Sequence, residues 1–456
     1  MPYIVMQKHI LAHKEALAKR LPARFPGLDP LPEGFRNSTR GWPVRSDKPG
    51  CYTADIEHVP ERMVQKHNDG SSDYSLLSSY HPDLCVHRCP SCFSEQDAVY
   101  AKRKADGSPN QIMTMGQTFG VIDQLMGIAA SEGHRFESVK FLGPGELLMN
   151  PELFDIIEEY AKRGITIGIF TKGALLGSDE LACKYQGHRG ISTAKELVDR
   201  LAACSNVTLL FSFQSFDPDT QQGLVSRTVD GKKLGLRGYP DIRLKALEYL
   251  LASDFYKDGM TDRMCIANTP IVPENIDESL GIYRFFIERG TPVIMTPTMV
   301  SGLGLIQLGR QKAVMNSFQE RLIELYVEVY LYNIRKGIQT MEQIEREGIA
   351  SYVGAAPCSQ ASNGFGLIRA NGRVDMCPGR ADGPDSIFGN VQETDAAEIY
   401  SRSPNRMRGE ADPHNLVNNR CPAKDATRPE QNSCRSFPFG FYDMVMERVK
   451  QKHQCP

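Results

Sequence analysis

From about residue 74, short apolar runs and longer stripes of helical period follow one another along the chain. The runs at Tyr74–Tyr80, Ser138–Leu142, Ile165–Phe170, Val207–Phe213, Met264–Ile271 and Pro292–Thr296 have the length and composition of strands. Between them the pattern stretches to the helical period near Gln117–Ser131, after Asn150, and near Thr193–Ala203, Asp241–Leu251 and Ile276–Arg289. The second helix shows its signals plainly. Asn150 caps it, Pro151 takes its first position, Leu153, Ile156, Ile157 and Tyr160 form its apolar face, and Gly164 ends it. Six strand–helix units of this kind predict an α/β fold, a parallel sheet curved into a partial (β/α)6 TIM-like barrel. Right-handed crossovers put every strand's C-terminal end on one face, and in parallel barrels that face holds the chemistry.

The flanks differ. Residues 1–73 read as an N-terminal extension, with one amphipathic helix near 5–20 and an irregular segment over Leu21–Ser72. The barrel is expected over 74–310 and bridging helices over 311–350, from the stripes Gln311–Gly337 and Thr340–Glu347. Residues 351–456 read as a smaller, loop-rich α+β domain. In it, GFGLIRANGRVDMC alternates around Asn371-Gly372, the pattern of a β-hairpin.

Composition narrows the class without naming it. Hydrophobic content of 41%, charged content of 24% and a net charge of −2 are ordinary for a globular protein. No field of one sign favours nucleic acid or an anionic membrane, and nothing resembles an RNA-binding module. No apolar run is long enough to span a bilayer, and the N-terminus lacks a secretory signal. A cytoplasmic location is therefore expected, where clustered cysteines are metal ligands sooner than disulfides.

The chemistry concentrates at the expected strand ends. Cys85-Val-His-Arg-Cys89-Pro-Ser-Cys92 follows the first, with spacing C-x3-C-x2-C. Three thiolates so close can hold an iron–sulfur cube and leave one iron open. Two plainer readings stand beside this one: a zinc site completed by His87 or His81, and neighbouring free thiols. Gly143-Pro-Gly145-Glu146 follows the second strand, where glycines admit a close ligand and Glu146 offers a carboxylate to an ammonium. Thr171-Lys172-Gly173 follows the third. Ser212 and Gln214 end the fourth, with Arg227 further on, suiting ribose hydroxyls and a carboxylate. The segment Arg227–Lys245 is basic and reads as a solvated loop, with a gate that prefers an anionic substrate as the second reading.

Taken together, residues 74–300 resemble the radical S-adenosylmethionine (radical SAM) superfamily, whose hallmark is the C-x3-C-x2-C loop. The resemblance implies a [4Fe-4S] cluster on Cys85, Cys89 and Cys92, with SAM on its open iron. It implies reductive cleavage of SAM to a 5′-deoxyadenosyl radical that takes hydrogen from a substrate. It aligns Gly143–Glu146 with the family's Gly-Gly-Glu motif, Glu146 holding the SAM amino group, and Ser212 and Arg227 with positions for ribose and carboxylate. Ser91 stands where the family often has an aromatic, Pro144 replaces the middle glycine, and Lys172 replaces a common asparagine.

Five of the twelve cysteines lie in the last hundred residues. Cys358, Gly372 and Cys377 resemble the opening of the SPASM and twitch modules, C-x9-15-G-x4-C. A full SPASM complement of seven cysteines is absent. The resemblance therefore implies a twitch-like module with one auxiliary [4Fe-4S] cluster on Cys358, Cys377, Cys421 and Cys434, Cys455 being the alternative ligand. A zinc site remains the plainer reading. Cys51, Cys183, Cys204 and Cys265 read as small buried residues, although an inward-facing Cys265 can donate hydrogen to a radical.

These readings lead to an oxidoreductase or lyase acting on a biosynthetic small molecule by dehydrogenation, epimerisation or rearrangement. A peptide or protein maturase is the second reading, and a non-catalytic metal-binding or electron-transfer protein the third. SAM and a flavodoxin- or ferredoxin-type reductant are the implied partners. Substrate and oligomeric state leave no mark in the sequence.

Overall fold

The structure is a computed structural model that describes residues 14–15, 51–70, 81–93, 111–256, 263–299, 301–310, 315–353, 364–378, 387–401 and 440–454. Its strands are β1 (Cys51–Glu57), β2 (Arg135–Gly143), β3 (Thr166–Thr171), β4 (Val207–Ser212), β5 (Arg227–Val229), β6 (Lys232–Leu234), β7 (Met264–Ile271), β8 (Val293–Pro297), β9 (Gly364–Ile368), β10 (Arg373–Asp375) and β11 (Ile387–Asn390). Its helices are α1 (Glu61–Asn68), α2 (Met115–Ser131), α3 (Leu153–Lys162), α4 (Ala174–Gly177), α5 (Asp179–Gln186), α6 (Ala194–Ala203), α7 (Pro218–Val225), α8 (Tyr239–Leu251), α9 (Ile276–Ile287), α10 (Gly302–Arg310), α11 (Met315–Arg335), α12 (Met341–Glu347), α13 (Ala396–Ser401) and α14 (Phe441–Gln454).

Nine strands form one sheet in the order β11-β10-β9-β1-β2-β3-β4-β7-β8. β1, β2, β3, β4, β7 and β8 are neighbours in chain order and pair in parallel, as in a partial TIM-like barrel. The expected α/β fold is therefore observed, with one correction. The strand that begins the parallel run is β1, within the segment read as an irregular extension. The strand expected at Tyr74–Tyr80 and the helix near 5–20, of which Lys14 and Glu15 are helical, otherwise lie outside the described residues. β1 escapes hydrophobic counting because Thr53, Asp55 and Glu57 alternate with Ala54 and Ile56. The latter pair joins the main core. Partners for Thr53 and Glu57 on the polar face lie inside the protein: Ser138 Oγ donates to Thr53 Oγ1 at 3.1 Å, and Glu57 meets Arg369.

Alternation along the strands divides the interior in two. Leu209, Phe211, Met264, Ile266, Val293 and Met295 belong to the large core under the helices. Leu210, Cys265, Ala267 and Ile294 form a smaller cluster on the opposite face, with Phe170 and Tyr352 against it.

The expected hairpin is present, and it is not separate from the barrel. β9 pairs in parallel with β1, and β10 folds back antiparallel through Gly372, whose φ of +79° suits the turn. A buried ionic chain fastens this junction. Arg369 bridges Glu57 (3.0 Å) and Asp375 (2.7 Å), and Arg373 also pairs with Asp375 (2.8 Å). Among the described residues no helix is long and apolar enough to cross a membrane.

Candidate active site

Three backbone contacts hold the cysteine loop over the C-terminal ends of the strands. Glu146 N–H, just past β2, donates to Leu84 O at 2.7 Å. Arg88 N–H donates to Val225 O, at the end of α7, at 2.9 Å. Leu303 N–H, in the first turn of α10, donates to Cys92 O at 2.8 Å. Glycines permit two of these approaches. A Cβ on Gly145, where φ is +83°, would lie 2.2 Å from Leu84 O, and one on Gly302 would lie 2.7 Å from Cys92 O. Arg88 closes the loop on itself, its guanidinium donating to the carbonyls of Cys85 (2.7 Å) and His87 (2.6 Å).

Cys85, Cys89 and Cys92 are half-buried and form no disulfide. Burial pushes the Cys85 thiol up, and the neighbouring Cys89 and Glu146 add to this. Burial also raises Cys89, opposed by Lys172 and Arg88. Such thiols become ligands when a metal takes the place of the proton. Among the described residues no three His, Cys, Asp or Glu side chains are arranged to hold a single ion. Three thiols carried on one short loop are the donor chemistry that an iron–sulfur cube takes.

Beside the loop, Glu146 is buried and one of its carboxylate oxygens, Oε1, has no hydrogen-bond partner. The other, Oε2, accepts from Lys172 N–H at 3.3 Å. Burial raises its pKa to about 7, against the opposing influence of Thr171, Lys172 and Leu148 beside it. An orphaned buried carboxylate oxygen next to three thiols fits a ligand with an ammonium group. Lys172 is clamped at both backbone groups, since its carbonyl accepts from Tyr239 Oη at 2.9 Å. Its ammonium donates to the buried Ser212 Oγ at 3.3 Å. Thr171 Oγ1 accepts from Gly173 N–H at 2.8 Å, which shapes the turn under this lysine.

The structure thus brings Gly145, Glu146, Thr171 and Ser212 to the thiol loop and adds Lys172. Gly143 ends β2 at the Gly143–Pro144 cis bond. Gln214 turns elsewhere. Its amide donates to Thr269 O at 2.7 Å and its carbonyl accepts from Gln221 at 3.2 Å, so its side chain serves the β4–α7 turn. Arg227 begins β5, two residues after the carbonyl that holds Arg88. The basic segment after it is not a solvated loop: it forms the β5–β6 hairpin and α8, in which Arg243 is wholly buried.

Two neighbours, Tyr239 and Ser301, were not assigned from sequence, and a third, His87, was read there only as a zinc ligand. Tyr239 packs edge-on against His87, with ring centroids 4.9 Å apart. His87, inside the cysteine motif, is buried with neither ring nitrogen hydrogen-bonded. Burial first, then Lys172 and Arg88, pushes its pKa down to about 3. Ser301 donates to Pro378 O at 2.5 Å, which ties the start of α10 to the residue after Cys377. His81 spends Nδ1 on Asp83 N–H at 3.2 Å. Cys265 is buried in the smaller apolar cluster, where burial raises its thiol. Cys377 is half-buried. Cys358, Cys421, Cys434 and Cys455 lie outside the described residues.

No family model matches the chain, and no curated protein matches it. Among solved structures, it is similar to the structure of TYW1 with a lysine–pyruvate adduct bound. The identity is 17%, over 52% of this chain and 72% of that one, with a TM-score of 0.27. An overlap so loose has no bearing on activity.

Proposed function

We propose that the chain is a radical SAM enzyme. The observation that carries this reading is the junction of the C-x3-C-x2-C loop with Glu146. The Leu84–Glu146 bond sets three thiols beside a buried carboxylate whose free oxygen awaits a donor. A [4Fe-4S] cluster on Cys85, Cys89 and Cys92 would supply the electron that cleaves SAM to methionine and the 5′-deoxyadenosyl radical. Glu146 accepts from the ammonium of SAM, and the buried setting that isolates it strengthens the contact. Lys172 and Ser212 offer a cation and a hydroxyl next to Glu146, suited to carboxylate and ribose, with Arg227 as a second cation. Gly143 and Gly145 let the β2 turn approach the ligand closely.

The substrate we favour is a biosynthetic small molecule. Cys358, Cys377, Cys421 and Cys434, with Cys455 as alternative, would hold one auxiliary [4Fe-4S] cluster. A flavodoxin- or ferredoxin-type protein would supply electrons. The test is anaerobic reconstitution followed by iron and sulfide analysis and deoxyadenosine assay with SAM and dithionite. About eight irons in the wild type, about four in a Cys85/Cys89/Cys92→Ala variant, and deoxyadenosine only from the wild type are expected. A protein that loads fully and never cleaves SAM, with or without candidate substrates, would sink the enzymatic reading.

A further inference from the structure

The loop that carries the three thiols also carries a polar side chain that nothing in the described protein satisfies. His87 is 2% exposed, and neither Nδ1 nor Nε2 has a hydrogen-bond partner. In either charge form an imidazole carries at least one N–H, and a buried donor left unmade is destabilising. The ring is also held in place. Its own backbone N–H donates to Cys85 Sγ at 3.4 Å, and the ring stands at 78° to that of Tyr239. Tyr239 is fixed in turn by its bond to Lys172 O and lies within electrostatic reach of Cys89 and Glu146. The unsatisfied imidazole thus belongs to a residue whose backbone bonds Cys85 Sγ, and its ring packs on Tyr239, which faces Cys89 and Glu146 electrostatically.

We propose that the His87 imidazole N–H is a hydrogen-bond donor to a sulfur of the cluster held by Cys85, Cys89 and Cys92. This rests on the radical SAM reading above. When the cluster accepts its electron, negative charge builds on its sulfurs. An N–H aimed at one of them stabilises the reduced form more than the oxidised form, so the cluster becomes easier to reduce. His87 is then a positioning residue for electron entry. It touches neither SAM nor substrate, and it is not a metal ligand.

The experiment compares anaerobically reconstituted wild type, His87→Phe and His87→Gln. Phenylalanine keeps a flat ring against Tyr239 and removes the donor, while glutamine keeps an N–H. The midpoint potential is read by EPR on the signal that shifts when SAM is added, which separates this cluster from any other. The expected result is equal iron at the site in all three, a more negative potential in His87→Phe, and recovery toward wild type in His87→Gln. Wild-type protein labelled with 15N-histidine should show a weak nitrogen coupling to the reduced cluster. That measurement decides the matter even if a variant fails to load. Unchanged potentials together with no 15N coupling overturn the inference and leave the enzymatic reading intact, as does a coupling strong enough for direct ligation. A wild type that assembles no iron–sulfur cluster overturns both.

Discussion

Glu146 shows how a single residue's setting becomes a pH dependence. Its carboxyl holds a proton up to about pH 7 in the folded protein, against about 4.3 in an unfolded chain. Between those values the folded state binds more protons, so this group makes stability fall as pH rises through the window. SAM binding should run the other way, because its ammonium needs the ionised carboxylate. Anaerobic equilibrium dialysis should show affinity rising from pH 6 to 7.5 in the wild type and flattening in Glu146→Gln. Gly145→Ala should destabilise the protein by more than about 1 kcal/mol, read by urea denaturation, and lower its iron content. The new Cβ meets a backbone oxygen at positive φ, and relief requires the cysteine loop to move. At this scale the sequence was legible where spacing is local. Cys85, Cys89, Cys92 and Glu146 could be chosen that way. Gln214 could not be judged, because Gln221 and Thr269, which bind its side chain, meet it only in the fold. Tyr239 is likewise brought to His87 by the packing of α8.

Among elements, the informative case is the junction of β1 with the C-terminal hairpin. Glu57, Arg369, Arg373 and Asp375 are nearly water-free, and their two positive and two negative charges balance. Removing one partner from such a set leaves a buried charge uncompensated, at a cost of about 3–5 kcal/mol. Arg369→Met is expected to lose stability on that scale in chemical denaturation, whereas a Glu57→Gln/Arg369→Met double variant, which leaves Arg373 and Asp375 as a balanced pair, should lose less than the single change. A loss within about 0.5 kcal/mol for the single variant would show that the chain contributes nothing. The strands with apolar residues on both faces were readable because burial on both sides leaves an unbroken run. β1 was not, because its inner face is charged and its charge partners lie in the last quarter of the chain. The Asn371-Gly372 turn was readable from two residues, but the sheet it joins was not.

For the molecule as a whole, the continuous sheet sets how it unfolds. β9 pairs with β1 in the same sheet as β2, so residues 364–375 and the parallel strands share one hydrogen-bonded unit. Calorimetry should therefore show the barrel and the hairpin melting together, and a chain ending at residue 353 should not fold to a cooperative state. Two separated transitions with the barrel intact in the shorter chain would refute that coupling. α14 is fastened by Phe441, Tyr442, Val445 and Val449, which join the main core, while its exposed ion pairs of Arg448 and Lys452 with α11 add only about 0–1 kcal/mol each. The same pairing has a consequence during synthesis. About 300 residues separate Thr53 from its partner Gly364. At about 5–20 residues per second, the free edge of β1 leaves the ribosome roughly 15–60 s before β9 exists to cover it. Throughout that interval the nascent protein presents an uncapped strand carrying Asp55 and Glu57, charges that deter pairing with other chains while the late strand is awaited.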